Sequence, residues 1–267
     1  MQSHLKLAAL AVAGVALGAS PVLADSVSDF YKGKRMEMLI GYSSGGGYDT
    51  YARLISRFWP NLIPGKPAMI ARNVPGAGSM RLMNELYNIR PKDGTAVGTV
   101  SRGIVHEELW GTKGVKFKSA DMTWIGSAND EVSVCVTWNT ANIKTLDQFL
   151  KSEIIVGGTG PGADTDTFPQ VLNNVLGTKM KLVTGYPGGN DINLALERGE
   201  VQGRCGWSWS SVKSTRAKWL KEGKIRILLA MSVEKNDELK DVPFVMDLAK
   251  SDRDKKILQL IFSRQAI

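Results

Sequence analysis

Three stretches of this chain set glycine beside small polar residues straight after an apolar run: SSGGGYD (Ser43–Asp49), GGTGPGADTD (Gly157–Asp166) and YPGGND (Tyr186–Asp191). A strand, a glycine-rich turn and then a helix create a specific chemistry. The first turn of a helix carries unpaired N–H groups and a partial positive charge. Glycine lets the backbone approach a bound group closely and takes positive φ. Together these features hold an anion without lysine or arginine.

What the motifs lack narrows the anion. A Walker A loop needs glycine, four residues and then Gly-Lys-Ser/Thr, and no such string occurs. The run Gly158 to Ala163 carries only the first half of a dinucleotide fingerprint. Pro161 removes an N–H from it, and the acid wanted about 20 residues on falls near Lys179. These losses argue against a nucleotide. Catalysis finds little support. HEELW at His106 lacks the second histidine of a zinc-protease helix. A Ser-His-Asp triad would have to use His106, the only histidine beyond residue 24. Glu107 and Glu108 are adjacent, so on a helix they point apart. Cys135 and Cys205 have no clustered histidines and make no zinc site. They are either a disulfide or two buried thiols on separate strands, since a bridge needs Cα atoms within about 7 Å. No metal or cofactor is expected.

The elements that position these turns alternate. MEMLIGY reads as a strand, Asp49 to Trp59 as a helix, AMIARNV as a strand, Met80 to Asn88 as a helix and AVGTV as a strand. This βαβαβ order predicts a mostly parallel sheet covered by helices. A second set follows: strands at MTWIGSA, VSVCVTW, EIIVGGTG, MKLVTGY, VQGRCGW and KIRILLAMS, with helices at TLDQFLK, Asp164 to Leu176, PGGNDINLALERGE and SVKSTRAKWLKEG. Pro169 is compatible with its helix only in the first turn. The tail, Val242 to Ile267, reads as two helices without a sheet of their own, folding back on the first unit. The expected division is 25–124 completed by 232–267, and 125–231, with strand crossings near 125–130 and 229–234 as hinges.

In open α/β sheets ligands bind at the carboxyl edge of the strands, where all three glycine turns fall. Asp49 and Arg53 are spaced i, i+4 and suit a salt bridge, while Asp49 is equally placed to order the glycine turn. Arg102 follows the third strand and is placed for a bidentate grip on a carboxylate. Trp207 and Trp209 follow a strand at the same edge; they either stack on a ligand or form an interface core.

The first 24 residues read as an export signal. Lys6 precedes the apolar run LAALAVAGVALGA, and small or apolar residues at Val22 and Ala24 suit cleavage after Ala24. Removing them takes away Lys6 and no acid, so the formal charge falls from +8 by one. The remaining basic residues are scattered, which argues against a nucleic-acid arm. A composition with 43% hydrophobic and 22% charged residues suits a globular protein of two domains.

Taken in order, GYSSGGGYDTYARLI and NVPGAGSMRLMNELYNIRPKDGTAVGTV, then GPGADTD, YPGGNDINLALERGEVQ, EGKIRILLAMS and DVPFVMDL, resemble the periplasmic solute receptors of tripartite tricarboxylate transporters, the Bug family. The usual family pattern is Pro-Gly-Gly-Gly-x-Asp, later Asn-Arg-Pro-Gly-Ala-Gly-Gly and Pro-Asp-Gly-Tyr-Thr-Leu. The resemblance covers nearly all of the chain beyond the signal. It implies a type II periplasmic-binding-protein fold, two α/β domains joined by a hinge, that closes on a small organic carboxylate and makes no bond. It also implies a periplasmic, monomeric receptor, delivering its ligand to membrane permease subunits. Carried over by motif, Ser43, Ser44, Gly45, Gly46 and Asp49 line one wall, and Thr159, Gly160 and Gly162 the other, with Tyr186 and Gly189 nearby. Tyr42, Tyr48, Arg102, Asp164, Thr165 and Trp207 complete the candidate ligand set.

The chain departs from the family at Ala163, where a serine is common, at Gly206, where an aspartate is common, and at Tyr48, which is larger than usual. These changes point away from small dicarboxylates and suit a larger or more aromatic carboxylate. Family members continue past LQLIFSRQAI with helices that complete the first domain, so a C-terminally truncated chain is expected. The competing expectations are an exported α/β enzyme acting on an anionic substrate, and a sensor module for a membrane signalling partner.

Overall fold

The computed structural model describes residues 26–265; the export signal expected over 1–24 lies outside them. The first elements are helix α1 (Ser26–Tyr31), strand β1 (Arg35–Ile40), helix α2 (Gly47–Phe58), strand β2 (Ala68–Asn73), helix α3 (Met80–Asn88) and strand β3 (Ala96–Thr99). The three strands form a parallel sheet in the order β2-β1-β3. Met38, Ile40 and Ala52 anchor α2 to one face. Leu39 and Leu82 anchor α3 to the other. The helices lie on opposite faces because the chain steps from β1 out to β2 and then back across to β3, which the usual right-handed crossover requires. A short helix not foreseen from sequence, α4 (Ile104–Leu109), follows and packs Ile104 against Met80, Met83 and Phe117.

The second unit holds β4 (Ser133–Trp138), α5 (Leu146–Lys151), β5 (Glu153–Gly157), α6 (Asp164–Leu176), β6 (Lys179–Val183), α7 (Gly189–Glu197), β7 (Gly203–Ser208), α8 (Trp209–Lys221) and β8 (Ile225–Met231). Its sheet runs β6-β5-β7-β4-β8. β5 is parallel to β6 and β7, whereas β4 is antiparallel to β7 and β8. The sheet is therefore parallel but for the strand by which the chain enters it. One face carries Phe149, Phe168 and Leu172, and the other carries Ile192, Leu196, Trp207 and Trp219.

Four sequence expectations need correction. MTWIGSA is not a strand: Gly126 sits at φ 150°, Trp124 and Ile125 are exposed, and the Trp124 indole donates back to Ser119 O at 3.0 Å. An apolar run without a neighbouring strand edge finds no ladder. Pro169 is not in the first turn of α6, for it is the sixth of its 13 residues. The tail does not complete the first unit. Helix α9 (Asp252–Phe262), capped by Ser251, sets Leu258, Ile261 and Phe262 on one stripe and buries them with Phe168 and Leu172 of the second. The rings of Phe168 and Phe262 meet edge to face at 4.7 Å. Finally, 229–234 joins no hinge. After β8 the chain stays with the second sheet, where Ala230 pairs with Phe244. Among the described residues the chain passes between the units once, through 122–132.

Cys135 on β4 and Cys205 on β7 are joined as a disulfide across 70 residues of sequence. Of the two readings open from sequence, the bridge is the one found. Both cysteines are buried.

Candidate functional site

The carboxyl ends of the strands in both sheets meet face to face. β1 leads into the first glycine turn, β2 into Pro75–Ser79, β3 into Ser101–Arg102, β5 into Gly158–Ala163, β6 into Thr184–Gly188 and β7 into Ser208. Five loops and the end of β7 therefore converge on one junction. Helices α2, α6 and α7 all start there.

The first wall is built around Asp49. Its carboxylate accepts from Gly45 N at 3.0 Å, Arg53 Nε at 2.9 Å and Asn73 Nδ2 at 2.8 Å. Both sequence readings of Asp49 therefore hold at once: it pairs with Arg53 and orders the glycine turn. Asn73 Nδ2 also donates to Tyr42 O at 2.8 Å, and Arg53 reaches Asn73 Oδ1 at 2.7 Å. Burial raises the Asp49 pKa, but hydrogen bonds from Arg53, Gly45 and Asn73, with the Arg53 charge, outweigh it and leave it below the usual value. Tyr42 is buried and stacks on Tyr48, ring centroids 4.6 Å apart. Burial pushes the Tyr42 phenol well up. Ser44 and Gly45 are exposed, and Ser43 and Gly46 half-buried.

The second wall is ordered from within. Asp166 accepts from Gly160 N at 2.8 Å and from the Thr184 hydroxyl, and Thr165 Oγ1 accepts from Thr159 N at 3.2 Å. Burial nevertheless holds the Asp166 carboxyl above its usual pKa. Gly162 and Thr165 are buried, and Tyr186 is half-buried against the α7 core.

The walls touch directly. Gly78 N donates to Thr159 O at 2.9 Å, Ser101 Oγ to Gly162 O at 2.6 Å and Ser43 N to Pro187 O at 3.1 Å. Ser43 Oγ donates to Asp191 Oδ2 at 2.5 Å. Arg102 donates from Nε to Asp164 Oδ2 and from Nη2 to Ser208 Oγ, both at 2.8 Å. The Tyr48 hydroxyl accepts from Arg102 N at 3.4 Å. Burial opposes the Arg102 charge, but Asp164 more than restores it and the pKa rises. The arginine placed from sequence as a grip for a free carboxylate thus holds a carboxylate of the other unit. Gly45 N, Gly160 N, Thr159 N and Ser43 N likewise all have protein acceptors here.

Backbone approaches are close at two places. A Cβ on Gly78 would lie 2.2 Å from Pro161 O, and one on Gly160 2.6 Å from Gly78 N. These two loops therefore meet backbone to backbone. Gly206, at φ 71°, lets β7 lie against α6: a Cβ there would meet the Asp164 carbonyl carbon at 2.4 Å. A side chain at 206 has no room in this arrangement, whatever residue the resemblance suggests. Trp207 is 1% exposed and packs with Trp219 and Val212, its indole donating to Ser211 Oγ at 3.3 Å. Its surroundings are those of a core tryptophan.

Sequence reasoning passed over Asn73, Gly78, Ser101, Asp166, Asp191, Arg204 and Arg264. The turn PGAGS ends a strand just as the other glycine turns do, so position at the sheet edge was the signal for Gly78. Nothing local marks Arg264, which lies 100 residues beyond Asp164 and meets Asp164 Oδ1 at 3.0 Å. The first loop also spells Gly-x-Ser-x-Gly (Gly41 to Gly45), the pattern of a hydrolase elbow in its proper strand–turn–helix setting. The partners differ: Ser43 Oγ is bonded to Asp191, and no hydrogen bond joins it to an imidazole among the described residues. His106 stacks on Trp110 at 5.4 Å and has no partner at Nδ1. Burial, then Arg264, lowers its pKa. No group of three histidine, cysteine or acidic side chains suited to a metal occurs among the described residues.

No family model and no curated protein matches the chain. Solved structures do. MatC from Rhodopseudomonas palustris, with bound malate, is 19% identical at a TM-score of 0.67, over 86% of this chain and 84% of that one. The periplasmic binding protein BugD is 16% identical at 0.63, over 86% and 74%. An R. palustris protein with adipate is 15% identical at 0.57, over 80% and 71%. At these identities the likeness establishes the fold, which is that of the periplasmic binding proteins.

Proposed function

We propose that this chain is a periplasmic solute receptor of the tripartite tricarboxylate transporter type, which captures a small organic carboxylate between its two units. The observation that carries the reading is the junction itself: three helix N-termini, five strand-end loops and the end of β7, from both sheets, converge on one place and bond across it. Such a junction gains stability from any ligand that touches both sides. The fold shared with malate- and adipate-bound proteins supports a carboxylate. The units are taken as separate domains moving about 125–130. No helix among the described residues is long and apolar enough to cross a membrane. Delivery is assigned to separate permease subunits. The receptor acts as a monomer and breaks no bond.

The test is a thermal-shift and calorimetric screen of the purified protein against mono-, di- and tricarboxylates. A ligand at 100 times its Kd adds about 2.7 kcal/mol to stability. Absence of any shift across the panel rejects the receptor reading. An exported esterase acting through Ser43 is tested alongside: turnover of an activated ester, abolished by both Ser43→Ala and His106→Gln, favours the enzyme.

A further inference from the structure

Asp164 opens helix α6, and the two oxygens of its carboxylate go to different parts of the molecule. Oδ1 meets Arg264 Nη2 at 3.0 Å, and Oδ2 accepts from Arg102 Nε at 2.8 Å. The two arginines differ in what holds them. Arg264 belongs with the second unit. Its side chain is wholly buried, its guanidinium lies 4.8 Å from the Phe168 ring centroid, and Gln265 Nε2 beside it donates to Met231 O at 2.8 Å. The preceding Ile261 and Phe262 are buried in the second core. Arg102 comes from the first unit, just beyond β3, and its side chain is 22% exposed. Its Nη2 donates to Ser208 Oγ, again in the second unit. Both of these Arg102 bonds cross the junction.

This division makes one half of the network exchangeable. If the units part, Arg102 leaves with the first sheet, while Asp164 keeps Arg264 and the positive end of α6. The carboxylate is then not left buried without a partner, which is the usual obstacle to breaking such a pair. Arg102 is partly exposed and is free to meet another anion. A small carboxylate offers it the same pair of oxygens as Asp164 does. Ligand and Asp164 are therefore alternatives at one guanidinium.

We propose that Asp164 is an internal competitor of the ligand: its pair with Arg102 latches the junction, and an incoming carboxylate must displace it from that guanidinium. This deepens the receptor reading above and rests on it. The latch lowers the apparent affinity by the fraction of molecules in which Arg102 is free, and so sets the ligand concentration at which the receptor fills.

Calorimetric titration with malate, adipate and benzoate tests this on wild type, Asp164→Asn, Arg102→Met and the double variant, with small-angle scattering of each protein alone. Asp164→Asn keeps the size of the side chain and removes its charge. It is expected to bind about tenfold more tightly than wild type and, without ligand, to scatter as a more open particle. Adding Asp164→Asn to Arg102→Met is expected to bring no such gain, because the guanidinium for which the two carboxylates compete is gone. Unchanged or weaker binding by Asp164→Asn overturns the proposal, for the pair then belongs to the liganded form. A gain that persists in the double variant also overturns it, since loss of a negative charge alone accounts for that. So does ligand-free scattering that is identical in wild type and Asp164→Asn. These failures leave the receptor reading standing, whereas binding of none of the three acids by wild type or Asp164→Asn removes both. Should Asp164→Asn not fold, Ser208→Ala loosens the Arg102 side of the latch without touching the buried acid. It is expected to bind about threefold more tightly than wild type, and unchanged or weaker binding in it overturns the proposal.

Discussion

Asp164 is held by two arginines from different parts of the chain: Arg102 meets Oδ2 at 2.8 Å and Arg264 meets Oδ1 at 3.0 Å. Arg102 closes the first sheet's edge and Arg264 ends the tail, so one carboxylate fastens three segments together. The Arg264 side chain is wholly buried and leans on the Phe168 ring at 4.8 Å. Replacing Asp164 by alanine leaves both cations without their acid. Removal of one partner from a buried pair costs about 3–5 kcal/mol. Urea unfolding of Asp164→Ala is expected to show a loss of that size, with a smaller loss for Arg102→Met, where Arg264 still compensates the carboxylate. Equal midpoints for wild type and Asp164→Ala would show the network to be energetically idle.

Gly160 separates folding from closure. Its φ is 126°, and an added Cβ would strike Ala77 Cα at 2.7 Å on the opposite wall. Gly160→Ala is expected to weaken carboxylate binding by about 100-fold, equivalent to about 2.7 kcal/mol. Small-angle scattering is expected to show a more open particle with ligand present. Retained affinity together with an unchanged scattering profile would contradict direct loop-to-loop contact.

The disulfide tests the second unit alone. A bridge closing about 70 residues of chain constrains the unfolded state and contributes about 2–4 kcal/mol. The double variant Cys135→Ser, Cys205→Ser is expected to unfold at correspondingly lower denaturant, and reductant is expected to lower the wild-type midpoint without moving that of the variant.

Asp49 sets an acid limit. Its folded pKa lies below the ordinary value of 3.8, so the unfolded chain takes up this proton first as the pH falls. The stability Asp49 contributes is complete above about pH 3.8 and is lost as pH falls from there through the lowered folded value. Asp49→Asn is expected to be less stable than wild type at pH 7 and to show a smaller further loss between pH 4 and pH 2 in chemical unfolding. Parallel curves for the two proteins would deny Asp49 this role.

Much of the molecule is legible in local pattern. Helices Met80–Asn88 and Asp164–Leu176 lie where the sequence places them, because amphipathic spacing and glycine punctuation are properties of neighbouring residues. The tail was misplaced for the opposite reason. The stripe of Leu258, Ile261 and Phe262 announces that α9 must be buried, not where. Only the proximity of Phe168 and Leu172 decides that it lies on the second sheet.

The sequence by itself determined that glycine-rich turns follow strands and open helices, and hence that these turns gather at a sheet edge. It also determined that Asp49 and Arg53 share a helix face. Tertiary structure alone decided that Arg102 faces Asp164 rather than solvent, that Ser43 bonds to Asp191, and that Arg204 and Arg216 meet without an acid. The reason is distance along the chain. Periodicity reports on residues a few positions apart, whereas these neighbours lie 62, 148 and 12 positions apart. Their pairing follows from how the sheets and helices pack, and no short stretch of sequence carries that information.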